Sequence, residues 1–241
     1  MIKSIDSKII PIDKGIVGLC KIPYHGHSKG CPNHGKKAGC PPGLLSLDSI
    51  FDFNEDIHVV YTKFKVGEFA ERMKIMHPEW KDQTYLDNPK FSNKVRELKN
   101  KLIEKNPDWK ADYFPSENKT YWKSSREWYN PRRWQGVARK EHSKEIFNFF
   151  ENDSGVVDGD LEKALKIFFN ASSRKSSPLI NNGLLDFNGF RVNKCPEAYG
   201  VNITGLMAEL GVKLDWQWPP EHSLDNITYM VSLIGKIVNN K

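Results

Sequence analysis

The most restrictive feature of this 241-residue chain is a cysteine-bearing stretch that is too rich in glycine and proline to form regular structure. Three of the four cysteines, Cys20, Cys31 and Cys40, lie in or beside it, and Cys195 follows far downstream. Residues 23–43 contain nine glycines and prolines, a density that excludes a helix. We therefore expect a loop whose shape depends on what it binds.

Four cysteines are too few for a disulfide scaffold in a chain of this length, and their clustering favours metal binding or catalysis. Proline directly follows Cys31, Cys40 and Cys195, as it follows a ligating cysteine in bacterial ferredoxin sequences. Three thiolates, Cys20 included, could hold a [4Fe–4S] cluster with one iron open to substrate. With Cys195 as fourth ligand, the cluster would be closed and would suit electron transfer or a structural role. This ligand chemistry favours an iron–sulfur site.

Two other interpretations of the same loop remain open. His25, His27 and His34 lie within it, and the Cys31-x2-His34 spacing could place both ligands on one zinc ion. However, the chain has no C-x2-C pair, which zinc sites usually contain. Alternatively, the thiols bind no metal and the histidines make ordinary hydrogen bonds.

The stretch Cys31-Pro32-Asn33-His34-Gly35-Lys36-Lys37-Ala38-Gly39-Cys40-Pro41-Pro42 resembles a signature found in an uncharacterised family of bacterial and archaeal predicted metal-binding proteins. That signature reads C-P-x-Y-G-K-x-x-x-C-P-P, and His34 stands where tyrosine is usual. The segment from Ala198 to Asn202, after Cys195, is similar to that family's second segment. The resemblance covers the two ends of the chain. It implies a metal, expected to be an iron–sulfur cluster, with Cys20, Cys31, Cys40 and Cys195 as candidate ligands, and it implies no particular reaction.

A basic, aromatic segment runs from Lys119 to Lys144. Its eight lysines and arginines exceed its two glutamates by six, which equals the net charge of the whole chain. Five aromatic residues are interleaved with these charges: Tyr121, Trp122, Trp128, Tyr129 and Trp134. Arginines neutralise phosphates and aromatic rings stack on unpaired bases, so this composition is typical of an RNA or single-strand surface.

The same segment has two further interpretations. Arg133 and Arg139 could clamp a small anionic substrate, because the guanidinium group matches carboxylate and phosphate geometry. Alternatively, Trp128 and Trp134 anchor a helix to the core, and the basic residues form its solvated face.

Hydrophobic spacing predicts a mixture of strands and helices. We expect an extended segment over residues 1–22, strands at 57–64, 212–218 and 227–234, and helices at 66–76, 91–104, 131–149, 161–169 and 204–210. This order predicts an α/β or α+β fold in one compact domain, residues 1–241. Within it, residues 1–64 form the cysteine-rich loop and strands, residues 65–170 are mainly helical, and residues 171–241 complete the site.

The sequence also predicts the cellular location of the protein and argues against several enzyme classes. It has no apolar run near the roughly 20 residues that span a membrane and no signal-peptide core, so we expect a cytoplasmic protein without a membrane partner. Dinucleotide-binding, Walker A, serine-hydrolase and radical-SAM motifs are absent. We expect an iron–sulfur protein that could be an enzyme. Its reaction would be redox or sulfur chemistry, and its substrate a small anion or RNA. The alternative is a zinc-stabilised nucleic-acid-binding module.

Overall fold

The computed structural model describes residues 1–22, 30–31, 33–37, 39–79, 84–86, 120–122, 131–154, 159–170, 176–214 and 227–238. A six-stranded antiparallel sheet organises the described chain. In chain order the strands are β1 (Ile2–Ile5), β2 (Ile57–Lys65), β3 (Thr84–Leu86), β4 (Thr120–Trp122), β5 (Ile180–Asn181), β6 (Leu184–Phe187), β7 (Phe190–Asn193) and β8 (Ile227–Lys236). The sheet order is β1-β2-β8-β7-β6-β5, while β3 and β4 pair separately.

Five α-helices are described: α1 (Lys14–Gly18), α2 (Val66–Met76), α3 (Pro131–Ser154), α4 (Gly159–Phe169) and α5 (Ile203–Glu209). The predicted mixed α and β character is therefore confirmed, and the antiparallel sheet makes it α+β. Within the described residues, no helix is both long enough and apolar enough to cross a membrane.

The sheet buries a different hydrophobic cluster on each face, because neighbouring side chains along a strand point in opposite directions. On one face, Val60 and Ile234 pack with apolar residues of α3 and α4, including the fully buried Phe150. On the other face, Val59 and Leu233 pack with buried residues that precede β2 and with α5. A smaller cluster joins α2 to α3 near the end of β2.

A buried histidine ties α3 to the two central strands. His142 is 0% exposed, and its ring nitrogens lie 2.8 Å from Thr62 Oγ1 on β2 and 2.8 Å from Ser232 Oγ on β8. Burial lowers the pKa of His142 to about 4, and the positive charge of the Met1 amino group contributes to the change. The ring is therefore neutral at neutral pH and acts as a structural hydrogen-bonding group.

Two tight hairpins join β5, β6 and β7. Asn182 and Gly183 both have positive φ angles, as do Asn188 and Gly189. Consecutive positive φ values define the Asn-Gly turn whose twist matches that of antiparallel strands. The strands β5, β6 and β7 that these turns join were not predicted from the sequence.

Several predicted elements agree with the structure, and two do not. The strands near 57–64 and 227–234 and the helices near 66–76, 131–149, 161–169 and 204–210 are confirmed with small changes at their ends. The extended interpretation of residues 1–22 is wrong after β1, because residues 14–21 form α1 and a 3₁₀ turn. Residues 212–214 are not a strand. The predicted helix 91–104 and residues 215–218 lie outside the described residues.

Candidate metal centre

Cys20 is positioned by two short helical segments. The Asp13 side chain begins α1 by accepting a hydrogen bond from the Gly15 N–H at 2.7 Å, which supplies the N-terminal cap that such a short helix needs. The 3₁₀ turn Leu19–Lys21 follows at once and carries Cys20. The carbonyl oxygen of Cys20 accepts a hydrogen bond from the Cys31 N–H at 2.8 Å. The first two cysteines are therefore neighbours through the backbone.

Gly30 permits this close approach. Its φ is +83°, and a Cβ atom built there would lie 2.8 Å from the carbonyl oxygens of Cys20 and Lys21. Because real Cβ atoms essentially never approach backbone atoms this closely, any larger residue would push the two segments apart. The contact between residues 20–21 and 30–31 therefore depends on glycine at this position.

Backbone hydrogen bonds also shape the chain from Cys31 to Cys40. The His34 N–H donates to the Cys31 carbonyl at 3.2 Å, and the Cys40 N–H donates to the Lys37 carbonyl at 3.1 Å. The Gly35 N–H donates to the carbonyl of Pro41 at 2.8 Å. These bonds fold the described part of the loop into successive turns and return Cys40 towards Cys31.

Cys195 comes to the same region from the end of β7. Its N–H donates to Asn193 Oδ1 at 2.9 Å, and a 3₁₀ turn at Pro196–Tyr199 follows. The Asp13 N–H donates to the Gly200 carbonyl at 2.7 Å, and the segment around residue 12 bridges to residue 201. The chain after Cys195 is therefore docked on the segment that leads to Cys20.

Three of the cysteine thiols have a pKa that is raised by burial and by the charge of another cysteine. Burial raises the pKa of Cys20, and the charges of Cys31, Cys40 and Glu197 raise it further. Burial also raises the pKa of Cys40, with a further contribution from Cys31. Burial raises the pKa of Cys195 to about 12, and the charges of Glu197 and Cys40 add to this effect. The four thiols therefore share one electrostatic neighbourhood, and Glu197 belongs to it.

Three cations act against this accumulation of negative charge. Lys194 and Arg139 oppose the rise in the pKa of Cys195, and Lys37 and Lys194 do the same for Cys40. Burial lowers the pKa of Lys194 itself, and the positive charges of Arg139 and Lys37 lower it further. The site therefore contains basic side chains whose positive charges would stabilise thiolates or an anionic ligand.

Among the described residues, no group of three or more His, Cys, Asp or Glu side chains is arranged to hold a metal ion. All four cysteines are partly buried free thiols. Their chemistry nevertheless fits a soft metal centre, since thiolates select zinc and iron–sulfur clusters. A metal would draw the thiols together and displace their protons. The buried Nδ2 of Asn193, beside Cys195, is without a hydrogen-bond partner in the described chain, which fits a site whose sulfur becomes a charged acceptor.

The other predicted site residues fall in different places. His34 lies in the loop beside Cys31, whereas His25 and His27 lie outside the described residues. Arg139 is partly buried on α3 and acts on Cys195. Arg133 is exposed near the start of α3.

The described part of the basic segment includes one aromatic residue with a known packing role. Trp134 stacks on Phe64, with ring centroids 6.3 Å apart and an angle of 20° between the rings. It also packs against the cluster between α2 and α3. Trp134 therefore acts as a core anchor, as the packed-helix interpretation expects. Trp128 and the rest of residues 123–130 lie outside the described residues.

Sequence reasoning missed the neighbours that surround Cys195. Asn193, Lys194 and Glu197 are all within two residues of it, and adjacency to a predicted ligand was the available signal. Lys37 lies inside the cysteine loop and could have been noticed in the same way. Comparison of the chain with protein-family models, with curated protein sequences and with solved structures found no match.

Proposed function

We propose that this protein binds an iron–sulfur cluster, of the [4Fe–4S] type, through Cys20, Cys31, Cys40 and Cys195. The single observation that carries the proposal is the position of Cys195. It lies 155 residues after Cys40 in the sequence, yet backbone bonds such as that from the Asp13 N–H to the Gly200 carbonyl dock the chain after Cys195 on the segment that leads to Cys20. The charge of Cys40 also contributes to the raised pKa of Cys195. The similarity of the Cys31–Pro42 stretch to a metal-binding signature supports the same ligands.

The surroundings of the thiols support a cluster more than a lone zinc ion. Thiolate-ligated clusters carry net negative charge, and positively charged side chains and N–H donors near them are what a protein uses to stabilise and tune that charge. Lys194, Arg139 and Lys37 supply such positive charge here. A bound cluster would supply electron transfer or, with one iron open, a Lewis acid.

Within this proposal, the protein's own residues have separable roles. The four cysteines hold the cluster, and the backbone contact between residues 20 and 31 keeps two of them adjacent. If only Cys20, Cys31 and Cys40 ligate, one iron is open, and Arg139, whose charge reaches Cys195, would orient an anionic substrate there. If Cys195 ligates, the cluster is closed and Arg139 serves only to balance charge.

Metal analysis tests the proposal directly. Protein purified without oxygen should be brown and should contain iron and acid-labile sulfide in nearly equal amounts. A colourless protein with one zinc ion would replace the cluster with the zinc alternative. Metal below stoichiometry in the same preparation would refute both.

Two substitutions then assign the ligands. Cys195→Ala should abolish the visible spectrum if four cysteines ligate, and retention of the full spectrum would establish ligation by three. His34→Ala is the matched control, because His34 lies in the same loop and is a ligand only in the zinc interpretation. It should leave an iron–sulfur spectrum unchanged.

A further inference from the structure

Asn193 has an unused hydrogen-bond donor beside Cys195. It ends β7, and it is 1% exposed. Its Oδ1 accepts the Cys195 N–H at 2.9 Å, while Nδ2 makes no hydrogen bond within the described part of the chain. The bond from the N–H identifies the oxygen, because the NH₂ group of an amide cannot accept it. The Asn193 side chain is therefore fixed to the backbone of the residue that we propose as a ligand, and its donor makes no hydrogen bond to the Cys195 sulfur in this structure.

Such a donor is costly unless it finds an acceptor. A buried polar group without a partner costs about 1–3 kcal/mol, and nearly all buried polar groups in folded proteins are paired. A neutral thiol is a weak acceptor, whereas a metal-bound thiolate is charged and is a strong one. Metal binding at Cys195 would therefore supply the acceptor that Asn193 lacks.

The cations near Cys195 already have partners. Lys194 Nζ donates to the carbonyl oxygen of Phe168 and lies over the Phe168 ring, 4.2 Å from its centroid. Arg139 donates to Gln135 Oε1 at 3.4 Å. Among the described neighbours of Cys195, Asn193 is the one with a buried donor that makes no hydrogen bond.

We propose that Asn193 is a positioning residue of the metal centre. Its side-chain oxygen holds the backbone of Cys195, and its NH₂ group donates a hydrogen bond to the Cys195 sulfur when a metal is bound. This inference rests on the proposed function, but it holds for zinc as well as for a cluster, because both use the thiolate of Cys195.

Asn193→Ser separates the two halves of this role. A serine hydroxyl can accept the same backbone N–H two residues later, but serine has no NH₂ group to reach the sulfur. Asn202→Ser is the matched control. Asn202 Oδ1 accepts the N–H of Gly205 at 3.0 Å, so this change alters the same kind of local bond at the start of α5 and not the bond to the Cys195 N–H.

Titration with Co²⁺ provides the measurement, since thiolate-to-cobalt absorption reports directly on the sulfur ligands. Asn193→Ser should bind Co²⁺ about ten- to a hundredfold more weakly than the wild type, as expected when an outer-shell partner is lost. Its charge-transfer band should move to longer wavelength, because a thiolate without the hydrogen bond is a better electron donor. Asn202→Ser should change neither quantity.

Each outcome decides between explanations. A folded Asn193→Ser protein with the affinity and band position of Asn202→Ser would overturn the role of Asn193 and leave the proposed function intact. A wild-type protein that takes up neither Co²⁺ nor a reconstituted cluster would overturn both. If Asn193→Ser does not fold, Asn193→Asp keeps the size and the accepting oxygen but removes the donor, and unchanged Co²⁺ binding by that variant would equally overturn the inference.

Discussion

Acid should destabilise this protein through one buried histidine, His142. Its pKa is about 4 in the folded protein, against 6.5 for an unperturbed histidine. Between these values only the unfolded chain binds the proton, so the free energy of unfolding falls by about 1.4 kcal/mol for each pH unit. The full loss is about 3 kcal/mol, reached near pH 4. Above pH 6.5 the histidine is neutral in both states and contributes no pH dependence.

The variant His142→Gln tests the lowered pKa of His142, because its stability can be compared with that of the wild type at each pH. Glutamine can bond to both hydroxyl partners but does not titrate, so only the wild type should lose stability through this group. Urea unfolding followed by tryptophan fluorescence, from about pH 7 to about pH 4.5, should show the stability advantage of the wild type shrinking by about 2–3 kcal/mol. Other titrating groups, including the four cysteines, are common to both proteins and largely cancel.

Ser232→Ala is the control for this experiment. It removes the hydroxyl that lies 2.8 Å from the ring but leaves the imidazole in place, so it should lower stability while keeping the acid-dependent loss. If the difference between wild type and His142→Gln stays constant with pH, or grows as pH falls, the depressed pKa and the reasoning from burial are refuted.

Three further perturbations probe the loop, the core and the sheet. Gly30→Ala should lower the melting temperature and the metal content more than Gly43→Ala, because both positions have positive φ but only Gly30 faces backbone at 2.8 Å; equal effects would exclude the close approach. Phe150→Ala should cost about 3–5 kcal/mol in urea unfolding, since the ring is fully buried, and a cost below about 1 kcal/mol would contradict its place in the core. Arg191 and Asp186 form two 2.7 Å bonds across β6 and β7, so a double-mutant cycle should give about 0.5–1.5 kcal/mol of coupling, and additive losses would show that the pair contributes nothing.

The sequence was most informative where hydrophobic spacing is long and regular. β2 is a run of β-branched and aromatic residues, and α2 and α3 have apolar residues at helical intervals, so their existence follows from local pattern alone. α1 could not be found in this way. It is five residues long and contains two glycines, and its stability comes from the Asp13 cap and from packing on the turn after Cys195.

The short strands β5, β6 and β7 were missed for a related reason. Strands of two to four residues are too short to show alternation, although two Asn-Gly turns marked them. The proximity of Cys195 to the cysteine loop was beyond the sequence for a different reason. It depends on β7 pairing with β8 and β8 with β2, and such long-range order leaves no local trace.

The central place of β8 has a consequence for how the molecule is made. β8 lies between β2 and β7, but it follows both of them, and Cys195, in the sequence. During synthesis, the strand that leads into Cys195 has no partner on that side until residues 227–236 leave the ribosome. We therefore expect that a metal held by all four thiols would be loaded only after synthesis has passed β8, so that its presence would mark a chain that has completed its sheet.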